Sequence, residues 1–288
     1  MVYYVEVSWF AWSLAAGLTS ALNVGASKFL VGSGLQPVVL GGVVHLSGGL
    51  LCLLALPFTD PRAGWSAGVL LGVLGMGAVY TLGNVLYFLA LRATPLSEID
   101  LFLRTSSLWT FVGGVVLLGE PLGASSGLGA GLVVASVLVL SQQTPSRLRF
   151  TRAQLLALAA ALTFGLGNVI DKSLSPYFDP ATYSALNLLL TGAGMLAAAR
   201  PRLSELAQPV LWGAWAWVVA ATFALTQALL ILAYQSGGGA GEVILVAQAR
   251  LLLLVAAGVV LLGERDRLGR KLLAVGLMVA GISLLYRG

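Results

Sequence analysis

The sequence is poor in charged side chains. Asp, Glu, Lys and Arg make up 9% of its 288 residues, whereas hydrophobic residues make up 58%. A soluble domain carries about a quarter charged residues, so this chain cannot cover a surface that faces water on all sides. An all-α integral membrane protein is expected, with the lipid bilayer as its surroundings.

Cysteine and histidine are almost missing, with one residue of each kind, Cys52 and His45. A single cysteine excludes a disulfide framework or a cysteine metal site. The sequence also lacks the clustered His, Asp or Cys residues of metal or nucleophilic catalysis. We therefore expect no enzyme, no catalytic residue, no metal site and no cofactor. Basic residues do not cluster with aromatic ones, so the net charge of +5 indicates membrane topology and no nucleic-acid partner.

Long polar loops are absent too, and apolar segments fill the chain. A spanning helix needs about 20 mostly apolar residues. The separators between the apolar segments are short and carry Gly or Pro, and none can fold as a soluble domain, so any site must lie within the helix bundle. The ten predicted transmembrane helices cover residues 7–30, 37–57, 65–92, 95–118, 122–141, 152–174, 180–199, 209–235, 240–262 and 268–286.

The chain contains an internal repeat. The heptapeptide GVVLLGE occurs at residues 114–120 and again at residues 258–264, an offset of 144 residues. One match of common membrane letters could be chance, but neighbouring features keep the same offset to within one residue. The matched pairs are Asn23 with Asn168, Asn84 with Gln227, and Glu98 with Glu242.

Each copy of the repeat holds five predicted helices. Because five is an odd number, the second copy enters the membrane from the opposite face. The predicted fold is therefore ten transmembrane helices in two inverted five-helix repeats, related by a pseudo-two-fold axis in the membrane plane. Residues 1–141 form the first repeat, residues 142–151 a linker loop, and residues 152–288 the second repeat.

Lysine and arginine collect on one predicted side of the membrane, which we expect to be cytoplasmic. Both termini then face the outside. The opposite side carries Arg62, Lys172 and Arg287, whereas the basic side carries Lys28, Arg92, Arg147, Arg149, Arg152, Arg200, Arg202, Arg265, Arg267, Arg270 and Lys271.

A Gly-Glu pair ends the fourth helix of each repeat, Gly119-Glu120 and Gly263-Glu264. Together with the five-plus-five repeat, it resembles the EamA-type members of the drug/metabolite transporter superfamily over essentially the whole chain. Length and an aromatic-rich interior make the sequence most similar to the YddG-type exporters of aromatic amino acids. The resemblance implies a bacterial inner-membrane exporter with a central cavity that works by alternating access.

The two glutamates of these pairs are interpreted as helix caps. Glu120 and Glu264 fall just before the next predicted helix, where a carboxylate complements the positive end of the helix dipole. The preceding glycine permits the tight turn. We favour this capping role over a direct substrate contact.

Polar side chains inside the predicted helices are the candidates for substrate binding, because they are costly in hydrocarbon and usually face the bundle interior. Amides bind an ammonium or a carboxylate, and aromatic rings offer stacking surface. For each amide alone, hydrogen bonding between helices is the alternative. The candidates are Asn23, Tyr80, Asn84, Tyr87, Trp109, Asn168, Phe223, Gln227, Gln248 and Arg250.

Few titratable groups lie deep in the predicted helices. Arg104 aligns with Gln248 in the repeat, and Asp100 one turn earlier is its expected partner. Arg250 suits a substrate carboxylate, with snorkelling to the interface as the alternative. His45 is a proton carrier or, more commonly, a packing residue. No mid-helix carboxylate is expected as a coupling site, and Asp171 is placed about a turn inside its helix, so uniport and coupling through another group both stay open.

The leading function is export of aromatic or other apolar amino acids, with a multidrug or other-metabolite exporter of the same superfamily as the alternative. A sugar-phosphate carrier is less favoured, because it would need more cavity cations than Arg104 and Arg250. An integral-membrane enzyme is less favoured too, because clustered His, Asp or Cys residues are missing. A non-transporting receptor or scaffold is less favoured because it would not require matched polar positions in an inverted repeat. The expected partners are a small-molecule substrate and lipid, with a monomer as the working oligomeric state.

Overall fold

The computed structural model describes residues 8–27, 30, 35–93, 102–141, 151–261 and 268–287, most of them helical. Short helical turns lie between the long helices at Leu56–Phe58, Ser175–Tyr177, Leu203–Leu206 and Pro209–Leu211. In chain order the helices are α1 (Trp9–Ser27), α2 (Pro37–Ala55), α3 (Ala67–Ala93), α4 (Ser106–Leu118), α5 (Ala124–Ser141), α6 (Arg152–Leu174), α7 (Pro180–Ala199), α8 (Ala214–Gln235), α9a (Ala240–Ala247), α9b (Arg250–Leu261) and α10 (Leu268–Arg287).

Every predicted segment overlaps at least one of these helices, and the all-helical prediction is confirmed for the described residues. Helices α4 and α5 are apolar but shorter than a full span, so ten as the number of membrane crossings stays a prediction. Six helices, some extended by a short turn, are long and apolar enough to cross a membrane: Pro37–Phe58, Ala67–Leu91, Arg152–Tyr177, Pro180–Ala199, Pro209–Gln235 and Gly269–Tyr286.

Local sequence explains where several helices begin. Thr151 and Gln154 form a capping box at the start of α6, in which each side chain accepts a hydrogen bond from the other residue's backbone N–H. Asp179 caps α7 by accepting from the N–H groups of Ala181 and Thr182, both at 3.0 Å. The linker residues 142–150, between α5 and this capping box, lie outside the described residues.

The ninth predicted helix is broken, which the sequence did not predict. Residues 240–262 were expected to form one helix, but a turn at Gln248 and Ala249 separates α9a from α9b. The first repeat has a turn at Arg104 and Thr105, just before α4 and 144 residues earlier in the chain. The two breaks therefore occupy matched positions in the two repeats.

Helices pack mainly against the opposite repeat rather than their own. Among the described residues, α1 packs on α8 and α3 on α6, while α2 pairs with α7 and α5 with α10. Each helix has a counterpart in the other repeat, five places along the chain. When every helix is replaced by its counterpart, α1–α8 becomes α6–α3, while α2–α7 and α5–α10 remain the same pairs. This pairing supports a pseudo-two-fold relation between the repeats. It also means that neither repeat buries its own apolar surface without the other.

Glycines allow close approach in the two pairs that join a helix to its own repeat counterpart, α2–α7 and α5–α10. A Cβ added to Gly192 of α7 would lie 2.8 Å from the carbonyl oxygen of Gly42 in α2. A Cβ added to Gly129 of α5 would lie 2.8 Å from the carbonyl oxygen of Gly281 in α10. Small residues at such contacts let membrane helices gain van der Waals packing between backbones. These two contacts therefore join the repeats beside the pseudo-two-fold axis.

Replacing one of these glycines should destabilise the bundle. We expect Gly129→Ala to lower the free energy of unfolding by about 1–3 kcal/mol, because the added methyl group meets backbone that must shift. Gly131, two residues along the same helix, has open space around its Cβ position, so Gly131→Ala should be neutral or slightly stabilising. Thermal unfolding of both variants in detergent tests this, and equal melting temperatures would contradict the close contact.

Glu120 caps a helix, but not the helix that the sequence indicated. Gly119 ends α4 with a φ of +68°, so the tight turn is present. The Glu120 carboxylate then accepts a hydrogen bond at 2.7 Å from the backbone N–H of Ala240, the first residue of α9a in the opposite repeat. Ser126 of α5 donates to Glu242 at 2.8 Å beside it. The matched Glu264 lies outside the described residues.

Loss of this cap should be measurable as lost stability. We expect Glu120→Ala to lower the free energy of unfolding by about 1 kcal/mol, the usual cost of losing a helix cap. Glu120→Gln keeps an acceptor oxygen and should lose less. Asp60 is an exposed carboxylate in a loop, which makes Asp60→Ala the matched control for loss of one negative charge. A melting temperature for Glu120→Ala no lower than that of the control would argue against the cap.

Candidate functional site

A cavity of about 460 Å³ lies in the middle of the bundle. Its walls come from α1, α2, α3, α6, α7, α8 and α9a and from the two matched helix breaks, so both repeats contribute. A second hollow, of about 500 Å³, lies between α3 and α7, where Leu74 and Leu82 are half-exposed. Its lining is small and mostly apolar, which makes it a groove on the outer surface of the bundle rather than a solute site.

Eight of the ten candidate substrate residues line the central cavity. They converge from four chain segments, α3, α6, α8 and the broken ninth helix, because the two repeats pack against each other. Contact with a substrate remains a prediction for each of them. They are Tyr80, Asn84, Tyr87, Asn168, Phe223, Gln227, Gln248 and Arg250.

The other two candidates, Asn23 and Trp109, are not among the residues that line this cavity. Asn23 of α1 donates from Nδ2 to the carbonyl oxygen of Val219 at 2.8 Å and to Thr222 Oγ1 at 3.0 Å, both on α8. It therefore joins two helices, the alternative left open for each amide. Trp109 packs against Gly165, where an added Cβ would lie 2.5 Å from the tryptophan Cβ.

Aromatic side chains form the apolar part of the cavity wall. The rings of His45 and Phe223 lie 4.7 Å apart between centroids, and those of Tyr80 and Phe164 lie 6.4 Å apart. His45 Nδ1 lies 2.7 Å from the carbonyl oxygen of Gly41, which can only accept, so Nδ1 carries a hydrogen. The wall therefore offers flat surfaces against which an apolar or aromatic group can stack.

The broken helices bring cations and an amide to the cavity. Arg250 opens α9b and donates from its guanidinium to Ser20 Oγ of α1 at 2.8 Å. Arg104 lines the cavity from the matched break before α4. Gln248 is 5% exposed, and its Oε1 is buried without a hydrogen-bond partner among the described residues. This part of the cavity can hold an anionic group and a hydrogen-bond donor together.

Asp171 is the main polar group that the sequence reading missed. It is 1% exposed, and its carboxylate accepts four hydrogen bonds from neutral donors. The hydroxyls of Tyr80 and Tyr183 donate at 2.7 and 2.6 Å. The amides of Gln227 and Asn187 donate at 3.0 and 3.3 Å. Helices α3, α7 and α8 thus converge on one carboxylate of α6.

Asp171 does not lie in the middle of its helix, in line with the expectation, but it is nevertheless buried inside the bundle. Asp171 is about one turn from the end of α6, as the sequence placed it, but the neighbouring helices cover that turn. Its position carried one usable signal. Asp171 follows Asn168 by three residues, so both share a helix face, and Asn168 was already assigned to the interior.

Tyr80 links Asp171 to the cavity through a chain of hydrogen bonds. Its hydroxyl oxygen lies 2.7 Å from Asp171 Oδ2 and 3.1 Å from Asn168 Oδ1. Asn168 donates in turn from Nδ2 to Thr110 Oγ1 at 3.0 Å, and Thr110 donates to the carbonyl oxygen of Ser106 at 2.9 Å. Tyr80 and Asn168 line the cavity, so Asp171 is one hydrogen bond away from it.

Lys172 and Gln235 tie the end of α8 to the end of α6. Lys172 Nζ donates to the carbonyl oxygens of Tyr234 and Gly238 at 2.9 and 2.8 Å. Gln235 Nε2 donates to the carbonyl oxygens of Ser175 and Phe178, both at 2.7 Å. These bonds satisfy carbonyl groups left over at helix ends and fix the turn that leads into α9a.

Removing one hydroxyl from the Asp171 cluster should destabilise the protein. We expect Tyr183→Phe to lower the free energy of unfolding by about 1–3 kcal/mol, because a buried carboxylate loses one of its donors. Tyr177 is 47% exposed, so Tyr177→Phe is a matched control with an expected change near zero. Chemical or thermal unfolding in detergent gives the comparison. Equal stability of the two variants would show that Asp171 does not depend on this bond.

Comparison with known proteins agrees with this architecture. The family model described as the EamA-like transporter family matches twice, at residues 7–142 and 151–287. No curated protein matches the sequence. Among solved structures, 29 chains match. One, a crystal structure, has a TM-score of 0.69 and 19% sequence identity over 94% of this chain and 95% of its own, which shows a shared fold. The chain belongs to the EamA-like transporter family of the drug/metabolite transporter superfamily, and it is a multi-pass membrane transporter.

Proposed function

We propose that this transporter exports aromatic or other apolar amino acids from a bacterial cell, across the inner membrane, as the YddG-type exporters do. The observation that carries the proposal is the composition of the central cavity. It combines cations, hydrogen-bond acceptors and aromatic rings in about 460 Å³, a volume in the range of small-molecule sites. A zwitterion with a ring needs all three kinds of group.

The carboxylate of the solute is assigned to the broken-helix end of the cavity. Arg250 is held by Ser20, so its guanidinium is positioned before a solute arrives. A guanidinium can donate two parallel hydrogen bonds to a carboxylate. Gln248 adds an amide at the same place, and its buried Oε1 has no hydrogen-bond partner within the described part of the chain. This oxygen can accept a hydrogen bond from water bound with the solute.

The ammonium and the apolar side chain are assigned to the cavity residues of α3, α6 and α8. Asn84 and Gln227 use their amide N–H groups within the protein, on the Tyr80 carbonyl and on Asp171. Their amide oxygens are acceptors, which suits an ammonium group. Phe164, Phe223 and Tyr87 supply the rings for the apolar side chain. Hydrophobic burial and ring stacking then favour aromatic over polar solutes.

Alternating access is supported by the repeat. The two repeats are related by a pseudo-two-fold pairing of helices, and transporters with inverted repeats bind solute between the halves, often at discontinuous helices. In the proposed arrangement both termini face the periplasm, and the solute enters from the cytoplasm. A multidrug exporter is the alternative, because the buried Asp171 beside the cavity would also favour an organic cation.

The proposal is tested by counterflow in proteoliposomes. We expect purified protein to exchange labelled tryptophan in a saturable way that phenylalanine inhibits. Arg250→Gln should weaken tryptophan binding about tenfold or more, the effect of losing a charge-assisted hydrogen bond. Ser20→Ala keeps the charge and should weaken binding less.

The matched control is Asn23→Ala, which removes an amide that lies outside the cavity lining. It should leave the affinity for tryptophan unchanged, although it lowers stability by about 1 kcal/mol through the lost bonds to α8. Exchange of organic cations without exchange of any amino acid would overturn the amino acid assignment in favour of the multidrug alternative.

A further inference from the structure

Asp171 has no task in the solute contacts just described. Its partners are two hydroxyls and two amides. Burying a charged group costs free energy unless hydrogen bonds or an opposite charge compensate. Structural roles of this kind are usually filled by neutral side chains, so a carboxylate here points to a use for its charge.

The hydrogen bonds decide where a proton can go on Asp171. A protonated carboxyl group must donate, and the amide N–H groups of Gln227 and Asn187 cannot accept. With the two amides in these orientations, the acceptor is a tyrosine hydroxyl. The Tyr183 hydroxyl donates to Asp171 Oδ1 at 2.6 Å. Tyr80 has a second acceptor, Asn168 Oδ1 at 3.1 Å, so Tyr80 can turn its hydrogen away from Asp171 without losing a hydrogen bond.

Two arrangements of the same atoms follow. With Asp171 ionised, the single hydroxyl hydrogen of Tyr80 points at Asp171 Oδ2, 2.7 Å away. With Asp171 protonated on Oδ2, the carboxyl group donates to the Tyr80 oxygen, and Tyr80 donates to Asn168. Asn168 stays in place because its Nδ2 donates to Thr110 in both arrangements. The proton therefore changes hydrogen-bond direction rather than helix position.

The protonation of Asp171 changes the electrostatic potential in the cavity. Tyr80, Asn187 and Gln227 contact Asp171 and also line the cavity. When Asp171 is ionised, its negative charge attracts an ammonium group through a region of low dielectric constant. When it is protonated, that attraction is lost. A proton on Asp171 and an ammonium group in the cavity therefore oppose each other.

The charged and titratable neighbours of Asp171 are few. Tyr80 faces it from α3, Tyr183 from α7, and Tyr234 from α8, where the Tyr234 hydroxyl is buried without a hydrogen-bond partner in the described residues. Lys172 follows it on α6 but donates to the backbone carbonyls of Tyr234 and Gly238. Beyond Lys172, Glu120 and Glu242 interact with that lysine electrostatically.

We propose that Asp171 is a proton-binding site, and that the transporter exchanges a proton for each exported solute that carries an ammonium group. The proposal rests on the proposed function for its solute. On solute binding, the proton leaves Asp171 Oδ2 by way of the Tyr80 hydroxyl to water in the cavity. After solute release to the other side, a proton from water on that side returns to Oδ2.

The proton site is tested without any solute, by infrared difference spectroscopy of the purified protein at stepped pH. We expect carbonyl stretches of protonated carboxylic acids to appear as the pH is lowered, and one component of this signal, the Asp171 band, to be missing in Asp171→Asn. Asp60→Asn, which changes an exposed loop carboxylate, should keep that component. Identical spectra of the wild-type protein and Asp171→Asn at every pH overturn the proposal.

Tyr80→Phe provides a second variant in case Asp171→Asn does not fold. It leaves Asp171 in place but removes the hydroxyl that receives its proton, so the carbonyl band should shift in frequency. An unshifted band would show that the proton is not donated to Tyr80.

Exchange is tested by titrating tryptophan into wild-type protein in weak buffer with a pH indicator. We expect about one proton released per solute bound, and a solute affinity that rises by up to about tenfold per pH unit. Asp171→Asn, which resembles the protonated form, should bind tryptophan more weakly, independently of pH, and with no proton release. Solute binding without proton release in the wild-type protein would overturn the exchange.

The two proposals fail in different ways. If tryptophan neither binds nor exchanges while the Asp171 band titrates, the amino acid assignment fails and the proton site stands. If tryptophan counterflow is saturable but the wild-type protein shows neither the band nor proton release, the proposed function stands and the proton site is wrong.

Discussion

The backbones of α2 and α7, and those of α5 and α10, touch at glycines, and this close approach between repeats determines the rest of the bundle. Gly42 meets Gly192, and Gly129 meets Gly281. In lipid, helices gain little from hydrophobic burial against one another, so such contacts supply much of the packing free energy. Other long helices also pair between repeats, α1 with α8 and α3 with α6. Together with α2 and α7 they surround the central cavity.

Polar groups fall into two classes in this arrangement. Some hold helices together, as Asn23 does between α1 and α8 and Lys172 does at the end of α6. Others line the cavity while also bonding within the protein, as Tyr80 and Gln227 do through Asp171. Groups of the second class connect the carboxylate of Asp171 to the central cavity. The same shortage of water that makes each bond necessary makes Asp171 sensitive to its partners.

Much of this architecture was readable in the sequence, because lipid imposes strong rules on length and polarity. The helical segments, the repeat and the inward face of Tyr80, Asn84 and Tyr87 all follow from periodicity and composition. The partner of a side chain does not. Asn23 and Asn168 occupy matched positions, yet one bonds to α8 and the other to Tyr80 and Thr110. Which neighbour a face meets is set by tertiary packing.

Two further features escaped the sequence for related reasons. The break at Gln248 and Ala249 contains neither Gly nor Pro, so no breaker residue marks it. Asp171 lies near a helix end, where acidic residues ordinarily meet solvent, and only the packing of α7 and α8 encloses it. In both cases local sequence describes one helix well and says nothing about the helices around it.

The carboxylate of Glu120 and the start of α9a belong to different repeats, and this has a consequence for motion. Any movement that separates the repeats at this end leaves the backbone N–H of Ala240, the first residue of α9a, without its acceptor. The hydrogen bond between Glu120 and Ala240 is thus a two-state contact, which is either formed or broken. A helix cap contributes about 1 kcal/mol. The free energy of binding one small solute is enough to break such a contact, and the contact can form again by thermal motion after the solute leaves.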